Sequence, residues 1–311
     1  MRMSEAPVSE LPPEVAAEMH SAAEAVDRHL AAYVGGLDAP SALREAVEYA
    51  LLGGGKRVRP VLTWFSCKAM GAPGERALAA AGAVELIHAF SLVHDDLPAM
   101  DDDDLRRGKP TLHIRFGEAM AVLAGDFMLA LAFDLLHRPP PVGPPHQLGA
   151  RLARELSRAT GEMISGQVRD TITETDPALT GLERVVTIHR GKTGALIRAA
   201  CRMGAMCGLP AGAPEDEPRL EAITTYAQSV GLMFQIVDDL IDVEHASEHT
   251  GKRTGKDAPA GKLTFPGLVG VQASREEIER LRSAGVQALR RVGEPARALE
   301  SVAGYLASRT R

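Results

Sequence analysis

Aromatic residues make up only 4% of this 311-residue chain, and a single tryptophan is among them. No run of β-branched and aromatic residues alternates convincingly with polar ones, which argues against a sheet-built core. Cysteine is scarce as well. Cys67, Cys201 and Cys207 are odd in number and widely spaced, without the close pairing of a zinc site, so they read as reduced, mostly buried thiols of a cytoplasmic protein. The N-terminal MRMSEAPVSELPPE lacks an apolar h-region, which excludes an ordinary secretory signal. Residues 1–12 read as a disordered tail. The most apolar helix candidate, Ala119 to Leu136, contains Asp126 and Asp134, so no membrane span is expected. Net charge is -6 with a pI near 6.0, and no basic stripe with interleaved aromatics exists, which speaks against a nucleic-acid partner.

What is present is helix-forming. Hydrophobic residues amount to 45% of the chain, ample for a core, and Ala, Leu, Gly and Met supply most of that mass. Helical periodicity is read at 14–34, 41–52, 58–70, 75–96, 118–137, 146–171, 181–207, 217–243, 275–291 and 294–308. Arg138 to Pro145 holds five prolines and cannot continue a helix. It reads as a loop between antiparallel helices rather than a domain linker, because neither half alone contains both acidic motifs described next. The expected architecture is an all-α, single-domain bundle over 13–311, with about ten or more mostly antiparallel helices around a central apolar cavity.

Two aspartate clusters dominate the charge pattern. Asp95, Asp96 and Asp101 to Asp104 precede Arg106 and Arg107; Asp238, Asp239 and Asp242 precede Lys252, Lys256 and Lys262. Carboxylates so dense repel one another unless a divalent cation neutralises them, and the adjacent cations point to an anionic, phosphorylated ligand. Asp238 and Asp242 are four apart and share a helical face. Asp95 and Asp101 would not share one, but Pro98 disfavours helix at Leu97, so a bulge can return Asp101 toward Asp95. Oxygen-only ligands select magnesium or calcium, and few-ligand sites completed by phosphate are typical of magnesium. The alternating ligands and glycine of an EF-hand are missing.

Gly53, Gly54 and Gly55 before Lys56, Arg57 and Arg59 form a second phosphate handle without being a Walker A loop. Gly191, Lys192 and Thr193, and Gln235 three residues before Asp238, add a cation and hydrogen-bonding groups. His88 lies seven residues before Asp95, hence on its helical face.

In this order, GGGKRVRP, LIHAFSLVHDDLPAMDDDDLRRGKPTLH, FGEAMAVLAGD, GKTGAL, FQIVDDLID and GKRTGKDAPAGKLTFP resemble the trans-isoprenyl diphosphate synthase family, especially its short-chain bacterial farnesyl diphosphate synthases. The resemblance covers about Leu51 to Pro266. It implies a prenyltransferase of the farnesyl diphosphate synthase (geranyltranstransferase) type. Catalytic residues would be Asp95, Asp96, Asp101, Arg106, Lys192, Asp238, Asp239 and Asp242. Asp95, Asp96, Asp101, Asp238 and Asp242 would hold three magnesium ions. Arg106, Lys192, Thr193, Gln235, Lys252 and Lys262 would contact the allylic diphosphate, and Lys56, Arg59, His88 and Arg107 the isopentenyl diphosphate.

By that resemblance, magnesium and the cationic side chains stabilise diphosphate as it leaves the allylic substrate. The isopentenyl double bond then attacks the allylic cation head to tail, with the departing diphosphate as base. Helices Val84 to Val93 and Ala119 to Leu136 would sheath the growing chain and exclude water. Phe90 and Ser91, five and four positions before the first motif, would form the floor, and one aromatic there implies farnesyl diphosphate; the alternative is geranylgeranyl diphosphate. A terpene cyclase would not need GGGKRVRP, Arg107 and a second DDxxD, and a non-catalytic subunit would not need both acidic motifs intact. A homodimer with small isoprenoid diphosphates as its ligands is expected.

Overall fold

A computed structural model of the chain describes residues 11–144, 148–172, 176–210, 212–214, 217–250 and 263–309, the side chains of 244–250 excepted. The expected tail therefore lies almost wholly outside the described residues, as do Lys252, Lys256 and Lys262.

The fold is all-α, as the composition implies. Helix α1 (Pro13–Gly35) opens with proline in its first turn, where the missing N–H costs nothing, and buries Ala22, Val26, Leu30 and Tyr33 at helical spacing. α2 (Ser41–Leu52) runs into the glycine turn, and α3 (Val58–Ala69) leaves it. A 3₁₀ turn at Gly74–Ala77 leads into α4 (Leu78–Asp95), apolar on nearly every side because it is packed among α1, α3, α6 and α9. The acidic stretch after it folds as a hairpin of β1 (Leu105–Arg106) and β2 (Lys109–Pro110), with Arg106 opposite Lys109. Arg107 and Gly108 turn it with φ of 54° and 73°, the two positive values of a tight hairpin loop.

A short α5 (Leu112–Phe116) precedes α6 (Glu118–His137), and the proline loop then leads to α7 (Gly149–Thr171). α8 (Gly181–His189) and α9 (Ala195–Gly208) stand where one helix is expected, because a π turn at Arg190–Gly194 interrupts them. α10 (Pro218–Thr250) is the longest helix, followed by α11 (Phe265–Val269), α12 (Val271–Leu289) and α13 (Arg297–Ser308). One hydrophobic core runs from Ala22 in α1 to Leu306 in α13.

Gly74–Asp95 and Glu118–His137 are each long and apolar enough to cross a membrane by length and composition alone, in spite of Asp126 and Asp134. The first is mostly buried inside the molecule. In the second, Asp134 accepts a 2.6 Å hydrogen bond from the Tyr33 hydroxyl and pairs with Arg138 at 2.7 Å, so this carboxylate is satisfied within the fold.

Candidate active site

Pro98 acts on the first acidic motif as expected. α4 ends at Asp95, the Met100 amide turns back to the Leu97 carbonyl at 2.8 Å, and the Asp101 amide donates to the Asp95 carbonyl at 2.8 Å. The two carboxylates come within electrostatic reach. Burial, with Asp101 adding to it and Lys192 opposing it, pushes Asp95 up to about 6.

Its neighbour Asp96 does something else. It is buried and accepts Arg106 Nε at 2.8 and 2.9 Å and Nη2 at 2.5 Å, a forked ion pair that ties the hairpin to the end of α4. Asp96 and Arg106, expected as a metal ligand and a diphosphate contact, thus satisfy each other, and they border a small cleft apart from the cavity that Asp95 faces.

The hairpin also closes on the glycine turn. Arg107 donates to the Gly54 carbonyl, Lys109 to the Gly53 carbonyl at 3.1 Å, and the Tyr49 hydroxyl to the Pro110 carbonyl at 2.7 Å. Gly54 and Gly55 take φ of 105° and 145°, which only glycine adopts without strain. Arg57 is left-handed too, at φ 47°, and three contacts hold it there: Asp27 at 2.7 Å, Glu85 at 2.6 Å and the Leu51 carbonyl at 2.6 Å. A buried arginine that fixes the turn is not legible from GGGKRVRP, where Lys56, Arg57 and Arg59 look alike. Lys56 is exposed on this turn.

Arg59 points the other way, its Nη1 3.3 Å from His88 Nε2, while its Nε is buried without a partner. Burial and the cations Arg59, Arg107, Arg57 and Arg106 hold His88 well below its ordinary value. It is therefore a neutral imidazole. An arginine can only donate, so Nε2 is the acceptor and Nδ1 carries the proton.

From the opposite side, Asp238 receives Gln235 Nε2 at 3.0 Å and Arg309 at 2.5 Å, and Arg309 lies 3.7 Å over the Phe234 ring. Burial raises Asp238, against the pull of Arg309, with the Asp242 charge adding to the rise. Asp239 instead accepts the Phe265 amide at 2.8 Å and stands 3.4 Å from His189, which fastens α11 to α10. Lys192 pairs with Asp170 at 2.8 Å, and Thr193 is buried beside it. Arg309 and Asp170 carry no sequence signal of their own: one is near the end of the chain, the other sits in a polar helix.

Arg59 is close enough to Asp238, and Lys192 to Asp95, for each cation to feel the carboxylate. Asp95, Arg59 and Lys192 thus stand at one mouth, and Asp238 lies within electrostatic reach of that Arg59. Among the described residues no three Asp, Glu, His or Cys side chains converge tightly enough to cage a metal by themselves. Half-buried Asp95 with exposed Asp101, and half-buried Asp238 with exposed Asp242, nevertheless present the hard oxygen donors that magnesium takes when phosphate completes its shell. The residues fit the ion.

Behind the mouth lies a cavity of about 410 Å³. Arg59, His88, Asp95, Lys192 and Thr193 line its polar part, and Phe90, Ser91, Leu92 and His94 of α4 continue it. Phe90 is in this wall, its ring edge-on to His94 at 5.7 Å, although straight helical spacing from Asp95 turns it away. The facing wall is α7, through Met163, Ile164, Gln167, Val168, Thr171 and Ile172, and not α6. α6 packs behind α4, where Gly125 leaves room for the His94 ring: a Cβ there would meet it at 2.1 Å.

These residues fall within the stretch, 40–302, that matches the model of the polyprenyl synthetase family. Geranylgeranyl pyrophosphate synthase 11, chloroplastic, of Arabidopsis thaliana is 47% identical over 279 residues, 88% of this chain and 76% of that one. The heterodimeric geranylgeranyl pyrophosphate synthase large subunit 1, chloroplastic, of the same plant is 44% identical over 277 residues, 87% and 73% of the two chains. Among solved structures, an FPP/GFPP synthase from Zymomonas mobilis superposes with a TM-score of 0.81 at 35% identity, covering 94% of this chain and 99% of its own. A charged mouth over an apolar cavity, in the fold and with the sequence of prenyl-chain-elongating enzymes, makes this chain a prenyltransferase that belongs to the polyprenyl synthetase family of trans-isoprenyl diphosphate synthases.

Proposed function

We propose that the chain joins isopentenyl diphosphate head to tail with allylic diphosphates and releases geranylgeranyl diphosphate. The observation that carries elongation is the joining of Arg59, Lys192 and Asp95 at one mouth to an apolar cavity behind it. Product length has a separate support: the plant relatives at 47% and 44% identity are named geranylgeranyl synthases, whereas the farnesyl expectation rests on Phe90 as floor. Phe90, beside the small Ser91, is the one phenylalanine, tyrosine or tryptophan in the cavity lining, which favours the longer product.

Asp95, Asp101, Asp238 and Asp242 would hold magnesium, which when bound neutralises diphosphate and draws charge from the allylic carbon–oxygen bond. Lys192 and Thr193 would grip the allylic diphosphate, with Lys252 and Lys262 in the role the resemblance implies. Arg59, Lys56 and Arg107 would take the isopentenyl diphosphate, beside a His88 that donates no charge. Gln235 orients Asp238, while Asp96 and Asp239 serve as tethers of the hairpin and of α11. Phe90, Met163, Ile164 and Val168 exclude water from the allylic cation. No protein base is needed, because the released diphosphate can take the proton. A cytoplasmic homodimer is part of the same proposal; Cys67, Cys201 and Cys207 are buried thiols pushed up from their ordinary value by burial, as inert cysteines are.

The test is incubation of the pure protein with magnesium, isopentenyl diphosphate and dimethylallyl, geranyl or farnesyl diphosphate, followed by product-length analysis. Condensation ending at twenty carbons is expected. An end at fifteen carbons would return the product to farnesyl diphosphate, and no condensation with any primer would sink the enzymatic reading.

A further inference from the structure

Behind the π turn lies a second cavity, of about 950 Å³. α7, the π turn, α9, α10 and α12 wall it. Five arginines line it, Arg158, Arg169, Arg190, Arg198 and Arg280, against one carboxylate, Glu162. Arg198 forks onto Glu162 at 2.9 and 3.1 Å, Arg169 holds Asp176 at 2.5 Å, and Arg280 its helical neighbour Glu277 at 2.7 Å. Arg158 and Arg190 are exposed, and neither makes an ion pair with another described residue. A concave surface with this excess of guanidinium concentrates anions. Ser165, Thr225 and Gln228 add hydrogen-bonding groups, and Leu232, Leu281 and Ala284 an apolar strip.

None of the acidic motif residues reaches this cavity, yet one turn separates it from the mouth. Gly191 and Gly194 border the rear cavity, whereas Lys192 and Thr193 border the front one. Two glycines clamp the turn: a Cβ at Gly166 would meet the Lys192 nitrogen at 2.2 Å, and one at Gly231 the Gly194 Cα at 2.9 Å.

We propose that the rear cavity is a second anion site that takes a diphosphate-bearing ligand, held by Arg158 and Arg190. Guanidinium forks match pairs of phosphate oxygens, and the volume exceeds what a single phosphate needs. Free diphosphate and a prenyl diphosphate share this chemistry; the apolar strip would accept the tail of the second.

Calorimetric titration of the full chain in chelator, without divalent ions, distinguishes the sites. With the magnesium-dependent allylic grip unformed in chelator, inorganic diphosphate should bind twice to the parent, once at the isopentenyl cations and once in the rear cavity. Arg107→Ala should remove the front event and leave the rear one, while R158A/R190A should weaken the rear one by about tenfold or more, the worth of lost charge-assisted hydrogen bonds. Both replaced arginines are exposed, and circular dichroism checks that the fold persists. In the Arg107→Ala protein, geranylgeranyl diphosphate binding tighter than inorganic diphosphate, with the gain lost in R107A/R158A/R190A, would identify the prenyl ligand; equal binding would identify free diphosphate. An R158A/R190A isotherm that superimposes on the parent's, or a parent that binds only the diphosphate removed by Arg107→Ala, overturns the proposal.

Discussion

At the scale of single residues, the site is built by giving like side chains unlike work. Asp95 and Asp96 are adjacent in sequence, yet one is raised to about 6 by burial while the other is matched by Arg106. The raised value has a defined sign in stability. Between its ordinary value of 3.8 and about 6, folded Asp95 keeps a proton that the unfolded chain releases, so this group's contribution to stability declines as pH rises through that window and stays low above it. The penalty at neutral pH is at most about 3 kcal/mol. Asp95→Asn should therefore raise the metal-free melting temperature at pH 8. Magnesium with inorganic diphosphate should raise that of the parent, by an increment that shrinks as pH falls below about 6, and should raise that of the variant by less, because its other anion and metal contacts remain. Thermal scans at pH 5, 6, 7 and 8 decide it, and a metal-free Asp95→Asn protein less stable than the parent at pH 8 would falsify the assignment.

At the scale of elements, the cavity is a matter of which helix faces which. α4 contributes Phe90 and α7 the stripe from Met163 to Ile172, so Phe90→Ala should open the deep side of the wall, about 7.5 Å along the helix from Asp95. Products at least one isoprene unit longer are expected, read by chromatography of labelled prenols, at a stability cost below the roughly 3–5 kcal/mol of a closed core site. An unchanged product distribution would reduce Phe90 to packing. The long helices were legible because their apolar period is regular, and the return of Asp101 was legible because Pro98 has one structural meaning. The hairpin was not: strands of two residues are too short to alternate, and only Arg107-Gly108 hints at a turn. Nor was the π turn, since the apolar period resumes on both sides of it. α7 escaped as a cavity wall because Ile164, Val168 and Ile172 sit in a mostly polar helix, where a stripe facing an empty cavity looks like a stripe facing solvent.

At the scale of the whole molecule, α6 has two faces and only one is used. Ala121, Ala124, Gly125 and Met128 are buried on its inner side, while Leu123 and Val122 remain 57% and 40% exposed on the outer. With Leu43, Met120 and Phe127, Leu123 forms an open apolar groove of about 470 Å³ whose one charged lining residue is Asp126. An apolar face of this kind is a favoured interface, and a second copy offers the same face across a two-fold axis with no basic partner required. A lone chain should therefore sediment as a dimer at micromolar concentration. Leu123→Glu places a charge on each side of that axis and removes two leucines worth about 1.5–3 kcal/mol apiece, so the dissociation constant should rise at least about a hundredfold. Circular dichroism of the variant should match the parent's, because Leu123 has no part in the inner packing. A parent that sediments as a monomer, or a Leu123→Glu protein as dimeric as the parent, would assign the outer face of α6 to some other surface, a non-identical subunit among them.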